Sequence, residues 1–318
     1  MTEWQLISHK MSDLSNNIAI LSYLKDKVHK WKNIAIMLGV VVILLIVKML
    51  LGNNISGKIE TGNYIANIKI EGAIFADDFR TETLQKISND NSAKAVIVNI
   101  DSPGGGVVDS EILYNNLRKI AKTKPLVVVM HSLAASGGYM AAIASDHIIA
   151  HNGTLTGSIG VLMQSAEMVD LANKIGVKFN IYKSASFKAA PSPFERSNTE
   201  IDMVVQESIK DSADFFFGLV KERRGAKLNK SQFSKIFDGR VFTGRQALVA
   251  GLVDEVGDTD LAMKYLKEKH KIDENTTIRD VKIIKIQNKL FEKFIGFLPF
   301  ANLSNSAPRQ GISAIMTY

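Results

Sequence analysis

Two short β-branched runs, Ala95 to Ile100 and Leu126 to Met130, each lead into a glycine-flanked turn and then a helical pattern, and this repeat most narrows the fold. Runs that stay apolar on both faces belong to a parallel or mixed sheet covered by helices, since a sheet with one wet face alternates apolar with polar residues. The alternation continues along the chain. Tyr64 to Ile70, His147 to Ala150 and Lys178 to Tyr182 read as strands; Asp78 to Ser88, Asp109 to Lys122, Tyr139 to Ser145 and Met168 to Ile175 read as helices. Apolar spacing from Ile201 to Val220 predicts one long helix over Thr199 to Arg224, and a strand at Val241-Phe242 precedes helices ending at Ala250 and spanning Thr259 to His270.

With 318 residues, 46% of them hydrophobic, the chain can bury one large core, here assigned to residues 64–286. Residues 1–33 form a polar leader and 52–63 a linker rich in Gly, Asn and Ser. Residues 34–51 read as a transmembrane anchor: Ile34 to Val47 has no polar side chain, and its eleven Ile, Leu and Val residues favour insertion by about 5 kcal/mol. A cleaved signal peptide fits less well, because the leader is long and Gly52-Asn53-Asn54-Ile55-Ser56 offers no small-x-small pattern. Lys25, Lys27, Lys30 and Lys32 precede the anchor against a single acid, Asp26, so the N-terminus is expected in the cytoplasm and the large domain on the far side. The tail, 287–318, concentrates apolar residues between Leu290 and Phe300 and is expected to cover a surface. The net charge of +7 is spread out, with no basic run interleaved with aromatics, so a nucleic-acid partner is not expected. The absence of cysteine excludes thiol catalysis, cysteine-zinc sites and disulfides.

The two turns differ in what they offer a reaction. Ala135-Ser136-Gly137-Gly138-Tyr139 presents one hydroxyl where a strand ends, and the Gly137 N-H that opens the next helix is a natural oxyanion donor. The hydrolase elbow G-x-S-x-G is absent, with Ala134 where its first glycine would stand. Ser102-Pro103-Gly104-Gly105-Gly106 has more glycine than a turn needs, and Gly104 or Gly105 could supply a second donor. A phosphate loop would end in a lysine and a Ser/Thr, which this one lacks.

A serine nucleophile needs a base. His131, His147 and His151 lie near Ser136 in sequence, yet no acid is placed to orient any of them. A lysine can serve when neutral, and lowering an ammonium from about 10.4 to about 8 destabilises its charged form by roughly 3 kcal/mol, which desolvation can supply. Lys188, between Phe187 and Ala189-Ala190-Pro191, has no carboxylate before Glu195, and Lys183 follows Tyr182. Thr156 and Ser158 form a further polar turn able to orient the amine. A Ser-x-x-Lys match at Ser22 and Lys25 lies before the anchor and reads as coincidence.

Together these residues resemble the signal peptide peptidase A family, membrane-anchored serine peptidases with a fold like that of Clp protease and crotonase, built on a repeated ββα core. The likeness runs from about Tyr64 to Leu266 through Asp101 to Gly105, Ala135 to Tyr139, Thr154 to Val161, Asp238 to Val241 and Gly251 to Asp254. It implies an α/β fold, Ser136 as nucleophile, Ser158 as the hydroxyl that assists the base, and Lys188 as that base, since Lys188 stands five residues before Pro193-Phe194. It further implies cleaved signal peptides and other short apolar peptides as substrates, no cofactor or metal, and a homo-oligomeric ring whose sites draw serine and lysine from adjacent subunits. The other readings are a related membrane peptidase that works with stomatin-like partners, an inactive ring-forming scaffold, and an acyl-CoA site of the crotonase type.

Overall fold

The structure, a computed structural model, describes residues 24–25, 27–44, 62–283 and 313–315. The chain divides into two compact units, Met1–Thr61 and Gly62–Tyr318. In the first, residues 27–44 are helical (α1), and their apolar side chains, from Ile34 through Leu44, are exposed on every face. Among the described residues no helix is long and apolar enough to cross a membrane; residues 45–51 of the expected anchor lie outside them.

The second unit is an α/β domain. Its elements in order are β1 (Tyr64–Glu71), α2 (Asp78–Asn89), β2 (Ala93–Ser102), β3 (Gly104–Gly106), α3 (Val107–Ala121), β4 (Leu126–Ala135), α4 (Gly137–Ala142), β5 (His147–Ala150), β6 (Leu155–Gly157), α5 (Val169–Lys174), α6 (Thr199–Arg224), a 3-10 turn at Lys230–Gln232, α7 (Phe233–Ile236), β7 (Val241–Thr243), α8 (Gly244–Ala250), β8 (Glu255–Val256), α9 (Thr259–His270), β9 (Thr277–Asp280) and β10 (Ser313–Ile315). The main sheet runs β7-β6-β4-β2-β1-β9, and every pairing in it is parallel except β6 with β7.

Burial on both faces explains the apolar runs. Val96, Val98 and Ile100 of β2 face the larger core with Leu113, Leu117 and Ile120 of α3, while Ala95 and Ile97 face a smaller one closed by Ala262 and Leu266 of α9. The helices begin at polar caps: Asp77 accepts from the Arg80 amide at 3.0 Å, Asn198 from Ile201 at 2.9 Å, and Thr243 forms a reciprocal capping box with Gln246.

Strand β4 is shared by two branches. Val127 to Met130 pair with β5, whose other neighbour is β8, whereas Leu133 to Ala135 pair with β6 and through it β7. The fork lets one strand carry Ser136 beyond the sheet's centre and lay it beside Gly157 and Ser158.

Two expectations fail. Lys178 to Tyr182 is not a strand: Phe179, Ile181 and Tyr182 are exposed, so this stretch has no sheet face to join. Gly104 to Gly106 is not simply a turn but strand β3, bridged on one side to Ile74 and paired antiparallel on the other with β10.

Candidate active site

Ser136 occupies the corner between β4 and α4 with φ 54° and ψ −119°, a left-handed conformation costly for a residue with a Cβ. The corner is held from both sides. The Ser136 N-H donates to the Gly157 carbonyl at 2.9 Å, its own carbonyl accepts from Met140 at 2.9 Å, and Tyr139 anchors α4 by donating its hydroxyl to the Leu252 carbonyl at 2.9 Å. Ser136 is almost wholly buried in the single chain, and none of its side-chain atoms has a hydrogen-bond partner among the described residues.

Glycine is required beside it by close approach. A Cβ on Gly137 would fall 2.1 Å from Ser110 Oγ and 3.2 Å from Gly104 Cα, which places the first residue of α4 directly against the glycine strand. On that strand the amides are not equivalent. The Gly104 N-H donates to Ser102 Oγ at 3.1 Å, and Gly104 O and Gly106 N bond to Ile74 at 2.8 and 3.1 Å. Backbone groups alternate along a strand, so the Gly105 N-H points the other way, toward the edge where Ala314 stands opposite. Of the two donors the sequence left open, Gly105 is the one whose amide faces that edge.

Ser158 continues the β6 turn, also left-handed at φ 49°, and its N-H donates to the Arg240 carbonyl at 2.8 Å. Thr156 is engaged elsewhere, its hydroxyl donating to Ala134 O at 2.7 Å. The structure thus brings Ser136, Gly137, Gly104, Gly105 and the Gly157-Ser158 turn to one end of the sheet. Lys188 is not drawn into that group within one chain. It lies exposed on the long segment between α5 and α6, and its Nζ has no hydrogen bond or ion pair among the described residues. Lys183 is different: its side chain is mostly buried and ion-paired with Glu195.

The histidines serve other contacts. His131 Nε2 is 2.9 Å from Asn99 Oδ1, His151 lies with its ring 5.6 Å from that of His131, and His147 stacks on Tyr265 at 4.0 Å with Nε2 3.2 Å from Glu255. Among the described residues no group of His, Asp and Glu converges in a way that could hold a metal ion. Sequence reasoning missed the part played by Ser102, which stands in the glycine motif and occupies the Gly104 amide, and Ser110, whose buried hydroxyl abuts Gly137 and which belongs to no motif that could have exposed it.

Comparison with known proteins decides the family. The profile of peptidase family S49 matches residues 118–273. A Synechocystis protein named "Putative protease slr0021" is 36% identical over 210 residues, covering 65% of this chain and 75% of that one. The chain belongs to peptidase family S49. Within that family of serine peptidases, the Enterococcus faecium protein named "Putative signal peptide peptidase SppA" is 35% identical over 196 residues, 61% of this chain and 56% of its own length, so the match spans little more than half of that relative. These matches agree with the resemblance to the signal peptide peptidase A family carried by the motifs. A solved structure of a mutant "1510-N membrane-bound stomatin-specific protease" aligns over 70% of this chain and 99% of its own at 16% identity, with a TM-score of 0.44.

Proposed function

We propose that this S49 protein is a membrane-anchored endopeptidase that degrades cleaved signal peptides and other short apolar peptides with a Ser-Lys dyad. The observation that carries the reading is the strained Ser136 corner set against a glycine strand whose outer edge takes up an extended chain: Ser313–Ile315 lies antiparallel along Gly104–Gly106. A peptide substrate bound in the same way would be held by its main chain, as in strand addition to a sheet edge. Ser136 Oγ attacks the substrate carbonyl while its proton passes to the Lys188 amine, and the Gly137 and Gly105 amides stabilise the oxyanion. Collapse expels the amine half of the peptide with that proton, and water, deprotonated by the same lysine, releases the acyl half.

Ser158 holds the lysine amine in this scheme. The exposure of Lys188 in one chain fits a homo-oligomeric ring in which an adjacent subunit completes the site and removes water from the ammonium. Exposed Phe179, Ile181, Tyr182, Phe187 and Phe194 on the same segment give such a neighbour an apolar surface to cover. A core of the Clp protease and crotonase type, residues 34–51 as the anchor, a cytoplasmic N-terminus and a catalytic domain on the outer side of a bacterial inner membrane belong to the same proposal.

The test is hydrolysis of an apolar peptide library by the full-length chain in detergent. Ser136→Ala and Lys188→Ala should abolish cleavage and Lys183→Ala should retain it; a Lys188→Ala protein at wild-type rate removes the assigned base. Mixing the two inactive variants should restore activity if sites are shared, and mixed assemblies without activity refute sharing.

A further inference from the structure

Ser110 sits in the first turns of α3 with no exposed surface, and its Oγ has no hydrogen-bond partner among the described residues. A hydroxyl buried without a partner is destabilising, whereas alanine at the same place carries no such penalty. This one is not lodged at random in the core. Its Oγ is the atom that an added Cβ on Gly137 would strike first, at 2.1 Å, with Ser110 Cβ at 3.0 Å and Gly104 Cα at 3.2 Å from the same point. The side chain therefore packs against Gly137 at the point where Gly137 also meets the glycine strand, the two segments that, in the function proposed above, supply the oxyanion donors.

We propose that Ser110 is a positioning residue for the oxyanion site. Its side chain sets the packing where α4 meets the glycine strand, and its O-H is a donor held for the Ser136 and Gly104 carbonyls, whose peptide units carry the Gly137 and Gly105 amides, in the reacting state. When an oxyanion draws on the Gly137 and Gly105 N-H groups, the peptide units that carry them polarise, and their carbonyls, Ser136 O and Gly104 O, which each accept one bond already, from Met140 and Ile74, become better acceptors for a second. A donor that lacks a partner at rest gains one as charge develops. An interaction present only in the transition state raises kcat and leaves KM unchanged.

The inference rests on Ser136 being the nucleophile, so the experiment carries both variants. In full-length protein in detergent, Ser110→Ala should lower kcat about ten- to hundredfold, as displacement of a reacting geometry by around 1 Å does, with KM changed by less than about twofold. Its melting temperature should equal or exceed that of the wild type, because the unpaired hydroxyl is gone. Affinity for a peptide boronate, which forms a tetrahedral adduct, should fall with kcat, whereas affinity of the Ser110→Ala/Ser136→Ala protein for uncleaved peptide should match that of Ser136→Ala. Wild-type kcat in Ser110→Ala overturns the proposal, and a lowered melting temperature would assign the residue to packing alone. If Ser136→Ala still cleaves, the nucleophile assignment itself fails; if Ser136→Ala is dead and Ser110→Ala is normal, only the role of Ser110 does.

Discussion

Replacing Gly105 with alanine probes the contact on which the glycine strand depends. The new Cβ would come to 1.8 Å from the Ile74 carbonyl oxygen, 2.5 Å from its carbon and 2.7 Å from its nitrogen. All three are backbone atoms, so no side-chain rotation relieves the overlap, and β3 must separate from Ile74. Separation breaks the Ile74 N-H to Gly104 O bond of 2.8 Å and the Gly106 N-H to Ile74 O bond of 3.1 Å. At about 1 kcal/mol for each bond, plus desolvation of buried groups left unpaired, the loss is about 2–4 kcal/mol. For a domain of this size that lowers the melting temperature by roughly 5–15 °C. Moving by an ångström the amide proposed to bind the oxyanion should also lower the hydrolysis rate by about a hundredfold. Calorimetry and peptide hydrolysis read the two effects. Gly153→Ala is the control: its Cβ meets nothing within 4 Å, and a change within about 0.5 kcal/mol is expected. If Gly105→Ala melts with the control and cleaves at the wild-type rate, the tight approach of Ile74 does not constrain the strand and the reasoning fails.

Arg224 is 4% exposed, bonds both Asp254 oxygens at 2.9 Å through Nη1, and caps the Gly251 carbonyl at 2.8 Å. Arg224→Met should cost about 3 kcal/mol of unfolding free energy by urea denaturation, the low end for a broken buried pair because Lys227 still contacts Asp254; a loss under about 1 kcal/mol refutes this. Burial holds the His147 imidazole below its usual range, an effect that Asp254 and Glu255 only partly offset. The unfolded chain then binds the proton more readily, so the stabilisation is present above about pH 6.5 and is lost as pH falls through the lowered native value. Asp254 is pushed up by burial but held down on balance by Arg224 and Lys227, and it acts in the same direction at more acid pH. The melting temperature should fall between pH 7.5 and 5.5 less steeply in His147→Gln than in wild type; equal slopes would dismiss His147 as the source. Thr243→Ala removes the α8 capping box and should cost about 1 kcal/mol in chemical denaturation, with Gln246→Ala not adding the same amount again.

The parts of the fold legible in the sequence are those where burial imposes a period. Strands β1 and β2 and helices α6 and α9 follow directly from their apolar spacing. Strand β4 continues five residues beyond Met130 because Leu133 to Ala135 pair with β6, which hydrophobicity does not reveal. Strand β9 sits at a sheet edge with mostly exposed side chains, and three glycines carry no strand signal at all, so β9 and β3 leave little trace. The apolar residues of Lys178 to Tyr182 mislead because they face outward rather than into this chain's sheet. At the candidate site the Ser136 corner stands out as strand, turn and helix, but the capture of the Gly104 amide by Ser102 depends on a local fold of two residues. Ser110 is an ordinary helical position until α3 is packed on α4.

A ladder made with three glycines has no side chains with which to question its partner. Whatever segment lies on Gly104 to Gly106 is gripped through its amides alone, so that edge contributes the same to every sequence in the register and selects only for an extended backbone free of proline at the donating positions. Discrimination among peptides has to be exercised by surfaces on the opposite side of the bound strand. If those are completed by another subunit, what this protein recognises is written in the assembly rather than in the single chain.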